Sequence, residues 1–197
     1  RFKNRSRISC NCSKKVSWSI SIFENGYRCS NTRKTKDIRR VCMSRISRHQ
    51  AYMGVAEVMS RRSTCFRRNV GAVIVEDKNI ISIGYNGPAS GEPHCTGNGC
   101  ADPMKGCQRA IHAEINALDR VTPIGYRKDW SMYCTESPCD DCAKAIVDSP
   151  IAEVFFLNQY RLVEGLNKLV LGGVMVWRMT PSGMIINYRT GDLVGLE

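Results

Sequence analysis

The motifs His112-Ala113-Glu114 and Ser137-Pro138-Cys139-Asp140-Asp141-Cys142 lie 22 residues apart (115–136) in a chain of 197 residues. One imidazole and two thiols are ligands that Zn²⁺ prefers, and three protein ligands leave a fourth tetrahedral position for water. Glu114 follows the histidine by two residues, where its carboxylate can carry protons without binding the metal. We therefore predict a catalytic zinc held by His112, Cys139 and Cys142, with Glu114 as the general acid and base.

The hydrophobic pattern on either side of these motifs alternates between helical and strand spacing. Apolar residues at helical spacing predict a helix over 44–62, and the apolar runs at 70–75 and 80–85 predict a hairpin that turns at 77–79. Further strands are predicted at 130–135, 154–157 and 174–179, helices at 110–120, 139–148 and 162–171, and a short terminal hairpin through 185–188. This order predicts an α/β fold, a three-layer α/β/α sandwich around a mixed five-stranded sheet.

Both ligand groups are expected at helix starts, where the helix dipole favours a thiolate. Cys139 and Cys142 are three residues apart and share one helical face, and Pro138 suits a first turn because it has no N–H to satisfy. A closed zinc site that only joins two helices is the structural alternative. It would need a fourth protein ligand and would leave Glu114 without a role.

The positive charge of the chain is concentrated at its N-terminus. Residues 1–42 hold 12 Lys and Arg against 2 Asp and Glu, whereas residues 43–197 hold 17 against 16. We therefore predict a basic segment over 1–42 that is disordered or not native to the protein, since the first methionine is Met43, and a catalytic domain over 43–197. Because the catalytic domain is almost neutral, no polynucleotide partner is expected.

The chain has 11 cysteines, and six of the seven after residue 42 fall at metal-like positions. We find no signal peptide at the start and no apolar run that would span a membrane, so zinc-binding thiolates are expected rather than disulfides. The predicted location is the cytoplasm, or the host cytoplasm if the chain is phage-encoded, with no membrane partner.

Together, the two zinc motifs match the signature of the zinc nucleobase deaminases, and on this α/β pattern the chain resembles the cytidine deaminase superfamily. Four segments, at 70–74, 84–87, 112–117 and 137–146, make it similar to the deoxycytidylate (dCMP) deaminases over about 48–180. The resemblance implies zinc-dependent hydrolysis of dCMP to dUMP, which supplies dTMP synthesis. It also implies a homo-oligomer, often a hexamer, and dCTP and dTTP as activating and inhibiting effectors, with Mg²⁺ accompanying the nucleotide effector.

The same resemblance implies a second, structural zinc. Phage members of the family place one ligand six residues before the glycine of the first strand motif and another eight residues after the Gly-Tyr-Asn-Gly motif, which here are Cys65 and Cys95. Cys100 and Cys107 would complete a four-cysteine site, with His94 as the alternative ligand. Free loop thiols are the other interpretation. Cys134 lies in a predicted strand and is expected in the core.

A mononucleotide needs a cation for its phosphate and polar groups for its sugar. At least one of the basic residues that flank the predicted site is expected to bind the phosphate: Arg67, Arg68, Lys105 and Arg109. Asn86 is the expected partner of the sugar hydroxyl, and Tyr160 is expected to line the pocket. The alternatives are a tRNA adenosine deaminase, a free-cytidine deaminase and a non-enzymatic zinc-binding interaction module.

Overall fold

The computed structural model describes residues 19–23, 26–30, 45–95, 107, 109–121 and 129–194. The chain divides into two compact units, Arg1–Arg45 and Ile46–Glu197. In the first unit, β1 (Ser19–Phe23) and β2 (Gly26–Ser30) form an antiparallel hairpin. This hairpin was not predicted, because residues 1–42 were expected to be disordered or not native to the protein.

The second unit alternates helices and strands, as the hydrophobic pattern predicted. Its elements are α1 (Arg48–Ser60), β3 (Gly71–Glu76), β4 (Asn79–Tyr85), β5 (Gly87–Pro88), β6 (Ala110–Ile111), α2 (Ala113–Leu118), β7 (Trp130–Glu136), α3 (Asp140–Val147), β8 (Ile151–Asn158), α4 (Glu164–Leu171), β9 (Met175–Met179), β10 (Ile185–Asn187) and β11 (Leu193–Val194). Within the described residues, no helix is both long and apolar enough to cross a membrane.

A mixed sheet of seven strands forms the middle layer, in the order β11-β10-β9-β8-β7-β3-β4. The three central strands β7, β8 and β9 run parallel, and the strands on both sides of them pair antiparallel. The predicted α/β sandwich with a mixed sheet is confirmed. The predicted count of five strands is too low, because the terminal hairpin of β10 and β11 continues the sheet beyond β9.

Apolar residues on the two faces of the sheet form two separate core clusters. Along β3, Ala72 and Ile74 belong to one cluster and Val73 and Val75 to the other, because successive side chains of a strand point to opposite faces. Helix α1 covers one face, where it buries Met53 and Ala56, and α2, α3 and α4 cover the other. Burial on both faces explains why β3 has no polar residue before Glu76, at its end.

Local sequence signals account for the ends of several elements. Helix α1 begins with a capping box, in which the Ser47 hydroxyl accepts from the backbone N–H of Gln50 and the Gln50 side chain accepts from the backbone N–H of Ser47. The β3–β4 turn places Asp77 and Lys78 at positive φ, 45° and 68°, as in the turns that match strand twist.

The predicted helix over 110–120 begins later than expected. Ala110 and Ile111 pair instead with Pro88 and Gly87 as the two-stranded β5–β6 ribbon, and His112 follows in extended conformation as the residue before α2. The ribbon joins the end of the hairpin to the start of the histidine motif. It therefore fixes the direction from which the chain enters the candidate site.

Candidate metal centre

The start of α2 carries the first half of the candidate site. His112 is the N-terminal cap residue and is exposed, whereas Glu114 lies in the first turn and is only 4% exposed. The Asn116 side chain donates to the Tyr85 carbonyl (2.9 Å), and the Ser82 hydroxyl donates to the Ala117 carbonyl (2.7 Å). These two bonds hold α2 against β4 with one side of the histidine open to solvent.

The start of α3 carries the second half. Cys139 caps the helix and is half-buried, and Cys142 lies in its first turn and is buried. Ser137 connects this turn to the end of β8, because its backbone N–H donates to the Asn158 carbonyl (2.8 Å) and its hydroxyl accepts from the Tyr160 N–H (2.8 Å). The two thiols are therefore held by a strand end as well as by their own helix.

The imidazole and the two thiols meet at one point. His112 Nδ1 lies 3.2 Å from Cys142 Sγ and 3.4 Å from Cys139 Sγ, and all three ligand atoms lie within 4.8 Å of one another. Typical Zn–N and Zn–S bonds at a tetrahedral angle imply nitrogen–sulfur separations of about 3.6 Å. The donor set and its spacing therefore fit a zinc ion, and three protein ligands leave one tetrahedral position for water.

Hydrogen bonds among the three ligand groups determine which of them holds a proton. The hydrogen bond with Cys142 lowers the pKa of Cys139 to about 4, and the hydrogen bond with Cys139 raises the pKa of His112 to about 9. The hydrogen bond between Cys142 and Cys139, in which the Cys142 thiol is the donor, raises the pKa of Cys142 far above its usual value. A thiolate is thus already favoured at Cys139, as metal binding requires.

Glu114 differs from the other three groups. Burial raises the pKa of its carboxyl group, so the carboxyl stays protonated to a higher pH than that of an ordinary glutamate. A carboxyl of this kind can gain and lose a proton at a pH closer to neutrality. The arrangement suits proton transfer beside the metal ligands.

The residues that were predicted to contact substrate make different interactions in the structure. Asn86 is 6% exposed, and its side chain accepts from the Val70 N–H (2.8 Å) and donates to the Arg68 carbonyl (2.9 Å). Arg68 forms an ion pair with Glu136 and lies over the ring of Tyr160, 4.9 Å from its centroid. Asn86 thus fixes the backbone that carries Arg68.

The other predicted phosphate ligands are arranged differently. Arg109 forms an ion pair with Glu92 at 3.0 Å and donates to the Pro93 carbonyl, so it is bound to the loop that precedes the histidine motif. Arg67 is exposed, and Lys105 lies outside the described residues. Glu136 was not among the sequence candidates. Its only sequence signal was a charge at the end of an apolar strand beside the cysteine motif.

The second predicted zinc site is only partly within the described structure. Cys65, Cys95 and Cys107 are half-buried, His94 is exposed, and Cys100 lies outside the described residues. Among the residues that the structure describes, only His112, Cys139 and Cys142 bring three ligand atoms within 4.8 Å. Cys134 is fully buried, which confirms it as a core residue.

A mixed sheet that presents one imidazole, two thiols and a buried carboxyl at two helix starts defines a zinc-dependent deaminase domain. The sequence profile of the cytidine and deoxycytidylate deaminase zinc-binding region matches residues 46–158. This chain belongs to that family, as its motifs predicted.

Three relatives illustrate the similarity. ComE operon protein 2 of Bacillus subtilis is 36% identical over 152 residues, 76% of this chain and 80% of that protein. The deoxycytidylate deaminase of Saccharomyces cerevisiae is 34% identical over 57% of this chain, which spans 38% of that longer protein. The dCMP deaminase from cyanophage S-TIM5, in its crystal structure in complex with dCMP and dUMP, has 36% sequence identity to this chain. The two structures match with a TM-score of 0.57 over 66% of this chain and 95% of the phage chain.

Proposed function

We propose that this chain is a dCMP deaminase that hydrolyses dCMP to dUMP and ammonia. The observation that carries the proposal is the buried Glu114 carboxyl in the same helical turn as His112, whose Nδ1 lies 3.2 and 3.4 Å from two thiol sulfurs. The choice of dCMP as substrate is supported by the relatives named deoxycytidylate deaminase and by the dCMP and dUMP complex of the phage enzyme.

The roles of the residues follow from their positions. His112, Cys139 and Cys142 would hold the zinc, which when bound supplies the Lewis acidity that makes water a nucleophile near neutral pH. Glu114 takes a proton from the attacking water and delivers it to the pyrimidine ring nitrogen. It then takes the proton of the newly added hydroxyl group and passes it to the amino group, which leaves as ammonia while the carbonyl of dUMP forms. Because Glu114 is buried beside the ligands, each transfer takes place away from bulk water.

The remaining features are proposed on the family resemblance. They are a second, structural zinc held by Cys65, Cys95, Cys100 and Cys107 or His94, effector control by dCTP and dTTP with Mg²⁺, a homo-oligomer, a role in dTMP supply and a cytoplasmic location. We also propose that residues 43–197 suffice for catalysis. A purified 43–197 fragment should then match the full chain in activity and in melting temperature.

One side-by-side assay tests the substrate. Purified protein with bound zinc is given dCMP, cytidine or a tRNA anticodon stem, and ammonia release and the deaminated product are measured for each. We expect rapid conversion of dCMP and no comparable conversion of cytidine or of the tRNA stem. Preferred turnover of cytidine or of the tRNA stem would overturn the proposed substrate while leaving the deaminase class intact, and no turnover of any of them would overturn the enzyme assignment.

A further inference from the structure

Helix α4 packs against the turn that carries the cysteine motif. Gly165 is buried, and a Cβ added to it would lie 2.7 Å from the Cys139 carbonyl carbon and 2.8 Å from the Cys139 carbonyl oxygen. Ordinary contact begins at 3.4 Å, so only glycine allows this approach. The backbone of α4 therefore lies directly against the peptide of a predicted metal ligand.

Helix α4 is itself anchored in the core. Leu166 and Leu169 are fully buried in the same apolar cluster as Ala143 of α3. At the far ends of the two helices, a Cβ on Gly172 would lie 2.5 Å from the Val147 side chain. The helices thus pack together at their starts and at their ends, and α4 is a fixed support for the first turn of α3.

An ion pair joins the two helices at the same place. Lys168 Nζ pairs with Asp140 Oδ1, and Lys168 follows Gly165 by three residues, on the same side of α4. Asp140 is the first residue of α3 and directly follows Cys139. Its other carboxylate oxygen, Oδ2, pairs with Lys144 of the same helix at 2.9 Å. Of these two lysines, Lys168 is the one that links the cysteine turn to another element.

The cysteine turn depends on support from outside its own helix. Cys139 is the cap residue of α3, but within the described structure its side chain makes no hydrogen bond that caps the helix. The first turn of a helix has backbone N–H groups without helical partners, and a side-chain cap normally stabilises it. The Cys139 sulfur must still stay close to His112 Nδ1, 3.4 Å away, if both are to bind one metal ion. A small movement of this turn therefore changes the spacing of the ligands.

We propose that α4 positions the Cys139 thiol for metal binding, with Gly165 and Lys168 as its two positioning residues. Gly165 limits the movement of the Cys139 peptide by packing against it. Lys168 holds the Asp140 carboxylate, and with it the start of α3, against α4. Neither residue is a ligand, and both act on the metal through the turn that they support. This inference rests on the proposed function, in which zinc bound at this centre activates the water.

The test measures zinc release from the full-length protein to an excess of a metallochromic chelator. The phase of release that is absent from Cys139→Ser belongs to the candidate centre, so any other bound zinc is excluded from the comparison. Removing a group bonded directly to a metal ligand costs about 10–100-fold in affinity, and Lys168 acts one residue further out. We therefore expect release to be about 3- to 10-fold faster in Lys168→Met and parental in Lys168→Arg, which keeps the charge.

Lys144→Met is the matched control for the charge. It removes the ion pairs of Lys144 with Asp140 and Asp141 inside α3 and leaves the link between Asp140 and α4 intact. Zinc should leave this variant at the parental rate. With zinc in excess, kcat for dCMP should fall about threefold in Lys168→Met while KM changes little, because the predicted substrate contacts lie on other elements.

A second pair of variants tests the packing contact. Gly165→Ala should release zinc at least as fast as Lys168→Met, because the added Cβ displaces the backbone of a ligand. Gly172→Ala should release zinc at the parental rate, because its Cβ first meets the Val147 side chain at the other end of the helices. Melting temperatures verify that the variants are folded, and the lysine variants decide the question if Gly165→Ala does not fold.

A purely structural role for α4 gives a different result. The inference is overturned if Lys168→Met or a folded Gly165→Ala lowers the melting temperature but keeps the parental rate of zinc release. It is also overturned if Lys144→Met releases zinc as fast as Lys168→Met. A parent protein without a zinc phase that depends on Cys139 refutes the metal centre and this inference together. A parent that holds this zinc but does not convert dCMP refutes the proposed function alone, since the comparison of release rates still decides the inference.

Discussion

Replacing Gly84 by alanine should disturb the candidate site without altering any of its functional groups. Gly84 lies in β4 directly beneath α2, and a Cβ there would be 2.1 Å from the Ala113 carbonyl oxygen and 2.7 Å from the Ala117 nitrogen. Ordinary contact begins at 3.4 Å, so the Ala113 carbonyl must retreat by about 1.3 Å. Because both atoms are backbone, the start of α2 has to move as a whole.

The displacement acts on the two functional residues on either side of Ala113. His112 and Glu114 move with the helix, and a misplacement of about 1 Å at a reacting group costs on the order of 10²-fold in rate. Overpacking of this kind also lowers the free energy of unfolding by about 1–3 kcal/mol. We therefore expect kcat/KM for dCMP to fall about 100-fold in Gly84→Ala, together with a lower urea midpoint and weaker zinc retention.

The matched control is Gly54→Ala in α1, where an added Cβ meets no heavy atom within 4 Å. Alanine is favoured over glycine inside a helix by up to about 1 kcal/mol, so this variant should be slightly stabilised and fully active. Both proteins are compared by steady-state kinetics, zinc content and urea denaturation. If Gly84→Ala keeps the kinetics and the stability of the parent protein, α2 does not pack against Gly84 at the distances given above.

Three further substitutions test the proposed roles of single residues. Glu114→Gln should retain zinc and fold while kcat falls about 10²–10⁴-fold, and near-normal turnover would exclude it as the general acid and base. Cys65→Ser should reduce the zinc content from two ions to one per chain and lower the melting temperature more than kcat, because metal binding at such a site contributes folding free energy; one zinc in the parent would refute the second site. Burial lowers the pKa of His49 below 6.5, so the unfolded chain binds the proton first and stability falls as the pH drops below 6.5. His49→Gln should flatten this part of the curve of unfolding free energy against pH, and an unchanged slope would show that the Tyr133–His49 bond (2.9 Å) does not couple folding to protonation.

The sequence predicted those features that depend on residue type and short spacing. The apolar run of β3 predicted a buried strand, and the His-Ala-Glu and Pro-Cys-x-x-Cys motifs predicted ligands whose atoms do meet. The β5–β6 ribbon was not predicted, because a strand of two residues is too short to show an alternation of apolar and polar residues. The Arg68–Glu136 pair joins residues 68 positions apart, a separation at which a sequence pattern gives no information about contact.

The division of the core by the sheet has a consequence for protein engineering. One cluster supports the helices that carry the candidate metal ligands, whereas the other, beneath α1, contains no candidate ligand and is built from residues such as Met53 and Phe155. Stabilising substitutions often reduce activity when they rigidify a catalytic site. In this fold, substitutions in the cluster beneath α1 can raise the melting temperature without contacting the candidate site. The loss of activity that often accompanies stabilisation is therefore expected only for substitutions on the other face of the sheet.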